Sequence, residues 1–270
     1  MFRGEGYEAP CPLLYKAGLG FVLQGFKHGI TGGREFSNGG DRYLILSTNL
    51  PLVCKTIATS QEPMIGLHVG YDFQELRRLV SVLHGEVGRK QAPPLEWAVA
   101  SAKYTGGVRG AVGDLIDLLH DPVASEAIGP AAVTRLYYEV LQSEDGRVLE
   151  TLTRVDSKLA RISKAMRYME SHLEEKLSMD ELADLTHMSR SAFHRAFKEV
   201  TGDSPLQYLK QMRLSKARNL ITYEGRSVGI AAQRVGYESP NQFSRDFKSF
   251  FGLPPSQASE LPYSQYSGVA

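Results

Sequence analysis

Two arginines fifty residues apart, Arg195 and Arg245, sit inside the same hexapeptide pattern. Phe193-His194-Arg195-Ala196-Phe197-Lys198 returns as Phe243-Ser244-Arg245-Asp246-Phe247-Lys248, and each copy is followed by a glycine and a proline, Gly202 and Pro205, then Gly252 and Pro255. In each copy the phenylalanines are four apart, so on a helix they share one face and turn it to a core. The opposite face of the first copy carries Ser191, Arg195 and Lys198, with His194 flanking and Arg190 at the helix start. In the second copy Asn241 and Arg245 point outward, with Gln242 and Ser244 beside them. A guanidinium is a fork of donors that grips the two acceptors guanine shows in the major groove, and Asn or Gln does the same for adenine. One such stripe alone is more often a core face with a solvated charge. Repetition with matching caps, glycine and proline makes it a pair of base-reading helices.

These side chains need a scaffold. Ser178-Met179-Asp180-Glu181 reads as a capping box opening a short helix to about His187. Ser189 caps the first reading helix, to about Val200, and Ser239 with Pro240 opens the second. Gly229 is a poor helix former, costing about 1 kcal/mol relative to Ala, so the short helix before the second reader is expected to start late. Ser204-Pro205 begins a helix of about seventeen residues ending at Ile221, about 25 Å long. A rod of that length suits two reading helices spaced roughly 34 Å, one DNA turn, for successive major grooves. Lys210, Arg213 and Lys216 on the rod are expected to neutralise phosphates, which positions without specifying.

The last hundred residues closely resemble the AraC/XylS family of transcription regulators. The resemblance rests on Leu182-Ala183, the first hexapeptide, Gly202-Asp203-Ser204-Pro205 and Tyr208-Leu209. In the second unit it rests on Ala231-Ala232, Val235-Gly236-Tyr237-Glu238-Ser239-Pro240, the second hexapeptide and Gly252-Leu253-Pro254-Pro255. It implies that Arg195, Arg245 and their outward neighbours contact DNA. A looser resemblance, through Leu23-Gln24-Gly25-Phe26-Lys27, Tyr43-Leu44 and Leu50-Pro51, ties the first half to the cupin-like N-terminal domain of one branch of that family. This implies a sensing or dimerising module.

Charge divides along the same line. Residues 1–150 hold 14 Lys+Arg against 17 Asp+Glu, net −3, whereas residues 151–260 hold 17 against 13, net +4. Within 188–218 seven basic residues stand against two acidic ones, a modest footprint for phosphate. Residues 10–70 read as β-rich, with Leu19-Gly20-Phe21-Val22-Leu23 alternating and turns expected at Gly29, Gly32, Gly33, Gly39 and Gly40. A helix over 72–83 turns Phe73, Leu76, Val80 and Leu83 to the core and leaves Arg77 and Arg78 solvated. Apolar stripes over 111–143 exceed what two covering helices need, and a helical dimer seam accounts for the excess.

The expected fold is α+β: a β-rich cupin-like barrel with a helical dimerisation segment over 1–150, and an all-α domain with two helix–turn–helix units over 156–258. The junction falls near 144–157, and the tail after about Glu260 is expected to be loosely ordered. Gln24, Lys27, Arg42 and Tyr43 are the candidate effector contacts. His28, His68, His84 and His120 are scattered and form no metal-ligand pair, so neither a metal, a cofactor nor a catalytic residue is nominated. Cys11 and Cys54 fit a reducing compartment and are too few for an alkyl-transferring repair regulator. With no apolar run of spanning length, the expected setting is the cytoplasm, away from membranes. The expected partners are double-stranded promoter DNA, RNA polymerase, a small-molecule effector and a second copy. The competing reading is a cupin-type binding protein or enzyme whose helical half is only an interaction module.

Overall fold

The computed structural model describes residues 2–4, 7–31, 33–59, 61–84, 97–154 and 157–260. Among the described residues the first half contains nine strands: β1 (Phe2–Gly4), β2 (Tyr7–Tyr15), β3 (Gly18–Gln24), β4 (Phe26–Thr31), β5 (Arg34–Asn38), β6 (Arg42–Leu46), β7 (Leu50–Ile57), β8 (Met64–Val69) and β9 (Val99–Lys103). They form two antiparallel sheets, in the orders β1-β8-β3-β6-β9 and β2-β7-β4-β5. Strand β7 shows the period-two logic of a half-covered sheet: Leu52, Cys54 and Thr56 are buried while Val53, Lys55 and Ile57 face out. Gly29 departs from the turn expectation. It lies inside β4, where a Cβ would stand 2.5 Å from the Phe36 ring, so it makes room for an aromatic side chain instead. Gly33, Gly39 and Gly40 do fall between strands, and Gly32 lies outside the described residues.

Helix α1 (Phe73–His84) buries Leu76 and Leu79, with the Asp72 side chain accepting from the amides of Gln74 and Glu75. Helices α2 (Gly106–Leu118) and α3 (Pro122–Gln142) form a hairpin whose Val112, Leu115, Leu136, Tyr137, Val140 and Leu141 are buried. The stripes that suggested a dimer seam are therefore largely core of the same chain. The segment expected as a junction carries α4 (Arg147–Thr153), with Val148, Leu149 and Leu152 buried. Six helices follow: α5 (Lys158–Ser171), α6 (Met179–Leu185), α7 (Arg190–Thr201), α8 (Pro205–Thr222), α9 (Val228–Arg234) and α10 (Pro240–Phe251). Gly229 does not delay α9, which begins at Val228 because Ser227 accepts from the Ile230 amide. The tail expectation falls on residues 261–270, outside the described residues.

The two halves are bonded together. The Ala98 amide donates to the Val200 carbonyl at 2.9 Å, at the end of α7. The Tyr208 hydroxyl, on α8, donates to the Asn49 carbonyl at 2.9 Å, and the Asn49 amide group donates to Glu170 at 2.6 Å.

Gly252 caps α10 at φ +81, as Gly202 caps α7 at φ +86. An L side chain there is strained even in open space, so Gly252→Ala should lose about 1–2 kcal/mol of stability. Gly229→Ala meets nothing within 4 Å and should gain about 0.5–1 kcal/mol. Urea unfolding of the full chain reads both, and equal signs would contradict the assignments.

Candidate nucleic-acid interface

Each reading helix is built the same way. The Ser189 hydroxyl accepts from the Ala192 amide at the head of α7, and the Ser239 hydroxyl accepts from the Gln242 amide at the head of α10, both at 3.3 Å. Phe193 and Phe197 are fully buried with their rings 5.6 Å apart, and Phe243 and Phe247 repeat that spacing. Core packing therefore fixes which face of each helix looks out. On α7 that face shows Arg190, Ser191, Arg195 and Lys198 exposed and His194 half-buried against the edge of Phe193. On α10 it shows Asn241, Gln242 and Arg245 exposed, with Ser244 half-buried. Among the described residues neither Arg195 nor Arg245 is tied into an ion pair. Arg190 differs, lying 3.5 Å from Asp180, a pair so exposed that it holds the side chain only weakly.

The turns of the two units share one backbone feature with different residues. The second residue after the short helix is in the left-handed region in both: Gly236 at φ +78 in the second unit, but His187 at φ +54 in the first. The Met188 and Tyr237 amides then donate to the carbonyls of Ala183 and Ala232, closing equivalent turns.

The rod α8 packs against both readers. Tyr208 meets Phe197 edge-on at 5.5 Å, and the Arg218 guanidinium lies 5.7 Å from the Phe251 ring. Arg218 is 2% exposed, so it leaves the basic footprint to which the sequence assigned it. Arg213 is a second correction. Its Nε donates to the Leu173 carbonyl at 2.8 Å and its Nη2 to the Glu175 carbonyl at 2.6 Å, which makes it a bracket between α8 and the loop after α5. Burial lowers its pKa. Lys216 is exposed, and Lys210 lies 3.8 Å from Asp246, which also accepts from the Tyr237 hydroxyl.

In the N-terminal half the four effector candidates have separate fates. Gln24 is exposed and donates to the Pro63 carbonyl at 2.8 Å, and Arg42 donates to the Ser101 carbonyl at 3.0 Å. Tyr43 belongs to an aromatic cluster, 5.2 Å from Phe21 and 5.3 Å from Tyr104. Lys27 is the one that carries an ionisable amine into the sandwich. It is 1% exposed and donates to the Tyr15 hydroxyl at 2.8 Å, with Asn38 and Thr56 opposite it in register. Burial lowers its pKa to about 8, against a smaller raising effect of the Cys54 thiol. Among the described residues no three His, Cys, Asp or Glu side chains gather to hold a metal.

A family model described as the AraC-type transcriptional regulator N-terminus matches residues 1–148, and one described as a helix-turn-helix domain matches residues 182–260. The HTH-type transcriptional activator RhaS of Enterobacter sp. (strain 638) is 36% identical over 96 residues, 36% of this chain and 34% of RhaS. The HTH-type transcriptional regulator ArgR of Pseudomonas aeruginosa is 27% identical over 161 residues, 59% of this chain and 48% of ArgR. The matches thus span about a third to a half of these relatives. ToxT of Vibrio cholerae O395, bound to (E)-4-(8-methylnaphthalen-1-yl)but-3-enoic acid, shares the fold with a TM-score of 0.65 at 12% identity, over 96% of each chain. Wild-type ToxT with an unsaturated fatty acid bound gives 0.62 at 11% identity, over 99% of this chain and 94% of that one.

Lys27 sets a pH dependence. Its folded pKa, about 8, lies below the ordinary lysine value of 10.5, so between them the unfolded chain binds the extra proton and stability rises with pH. Lys27→Met should flatten that rise in unfolding curves taken from pH 7.5 to 10. An unchanged difference across the range would contradict the burial of the amine.

Proposed function

Because the chain belongs to the AraC-type transcriptional regulators, we propose that it binds double-stranded promoter DNA sequence-specifically and activates transcription. The observation that carries the reading is the twin placement of Arg195 and Arg245, exposed on two capped helices with the same buried Phe pair beneath. Residues 156–258 form the DNA-binding unit. Arg190, Ser191, His194, Arg195 and Lys198 read one major groove, and Asn241, Gln242, Ser244 and Arg245 read the next. Lys210 and Lys216 meet phosphate, while Arg213 stays with its carbonyls.

Residues 1–150 form the regulatory unit, and no catalytic step is assigned to it. We take its effector to be a small amphipathic carboxylate, in line with the ligands of the ToxT structures, with the head group at Lys27. A second copy binds the α2–α3 hairpin, where Leu119, Val123 and Ile128 are exposed. Val123→Glu should then leave a monomer by light scattering. The setting is the cytoplasm, on nucleoid DNA in contact with RNA polymerase. No helix among the described residues is long and apolar enough to cross a membrane.

Retention of sheared genomic DNA by the purified chain at two salt concentrations tests the reading. A few sharply enriched sites should survive the higher salt, whereas diffuse retention lost with salt would leave only non-specific affinity. On a retained site Arg195→Ala or Arg245→Ala should cost about 1–3 kcal/mol and relax base preference at one position. Lys210→Ala should weaken all sequences alike and make the salt slope shallower by about one. Unchanged affinity and preference in both arginine variants would contradict the reading faces.

A further inference from the structure

A cavity of about 500 Å³ opens where the two halves of the chain meet. Ser47, Phe73 and Arg77 contribute to it from the N-terminal half. Arg161, Lys164 and Arg167 come from one face of α5, and Leu185 at the end of α6 and His187 in the turn after it close the cavity. No Asp or Glu among the described residues lines the hollow. Among the described residues none of the four cations is held in an ion pair or hydrogen bond. Arg77, Lys164 and Arg167 stand exposed at its mouth and Arg161 is half-buried, so four like charges gather there, and an entering anion lowers their mutual repulsion.

A second observation is independent of charge. Ser47 and Ser163 both line the cavity and are each 3% exposed, and among the described residues neither hydroxyl meets a hydrogen-bond partner. Buried hydroxyls are ordinarily paired, and an unpaired one is a cost that a bound polar group offsets. Phe73, Leu152 and Leu185 add an apolar wall, and the volume lies in the range that holds a small organic ligand. Guanidiniums match the oxygens of a phosphoryl group two at a time, and four cations call for more than one negative charge.

We propose that this seam cavity binds a small phosphorylated metabolite with an aromatic or apolar body, at a site separate from Lys27. The ligand bridges Arg77 on α1 to the basic face of α5 and touches the turn that leads into the first reading helix. His187, in the left-handed region where the second unit has Gly236, stands at that contact. A ligand bound there favours one orientation of α7, and of the second reader that α8 holds to it, relative to the N-terminal half.

Calorimetric titration of the full chain with AMP, pyrophosphate and adenosine tests the site without DNA, so its failure stands apart from failure of the regulator reading. AMP and pyrophosphate should bind saturably and adenosine should not. The double variant R161Q/R167Q should weaken both anions by about tenfold or more, whereas Lys27→Met and Arg195→Ala should leave them unchanged. The unliganded double variant should melt no lower than wild type, since neutralising the arginines relieves repulsion. Absence of saturable binding, or binding indifferent to the double variant, would overturn the proposal. A lowered melting temperature of the unliganded variant would make these side chains structural and overturn it as well. Loss of duplex affinity alone, with anion binding intact, would assign them to the DNA backbone and also overturn it.

Discussion

The buried face of α8 is the constraint on which the rest depends. Phe197 packs on Tyr208 near its start, and Phe251 stands by Arg218 toward its end. At about 1.5 Å per residue its eighteen residues make a rod of about 27 Å. Each reading helix is locked to that rod by its own phenylalanines, so neither can turn its polar face without breaking a packed aromatic contact. Close-packed side chains move between discrete arrangements rather than bending smoothly. The two outward faces therefore move as one body, and groove spacing is a property of the rod.

The same rod is where the N-terminal half takes hold. Tyr208 supports Phe197 with its ring and bonds the Asn49 carbonyl with its hydroxyl, while Val200 at the end of α7 accepts from Ala98. A change in the N-terminal half thus reaches the first reader through two hydrogen bonds and a shared cavity. The second reader contacts that half as well, through α10 beside β2. Regulation by a ligand needs two states with different ligand affinities.

What the sequence disclosed was what lies close along the chain. Caps at Ser178, Ser189, Ser204 and Ser239, the Phe-x-x-x-Phe stripes and the outward Arg195 and Arg245 all follow from spacing, and the structure places each as read. The misreadings share a cause, since contacts distant in sequence decide them. Arg213 looked like a phosphate contact until the carbonyls of Leu173 and Glu175 arrived from another loop. Arg218 counted toward the basic footprint of 188–218 until Phe251 and the surrounding core covered it. Gly29 looked like a turn because nothing local reveals that Phe36 needs its space. Asn49 and the seam cavity left no periodic trace at all, because each exists only where two halves of the chain meet.

Hydroxyl-radical footprinting on a retained promoter site, repeated with about five base pairs, half a turn, inserted at its centre, tests the rigid two-groove reader most directly. Two protected tracts about ten base pairs apart on one face of the duplex are expected, with the insertion abolishing one tract and dropping affinity toward the non-specific level. A single tract on the intact site, or two tracts that survive the insertion, would show that the readers are not held by one rod.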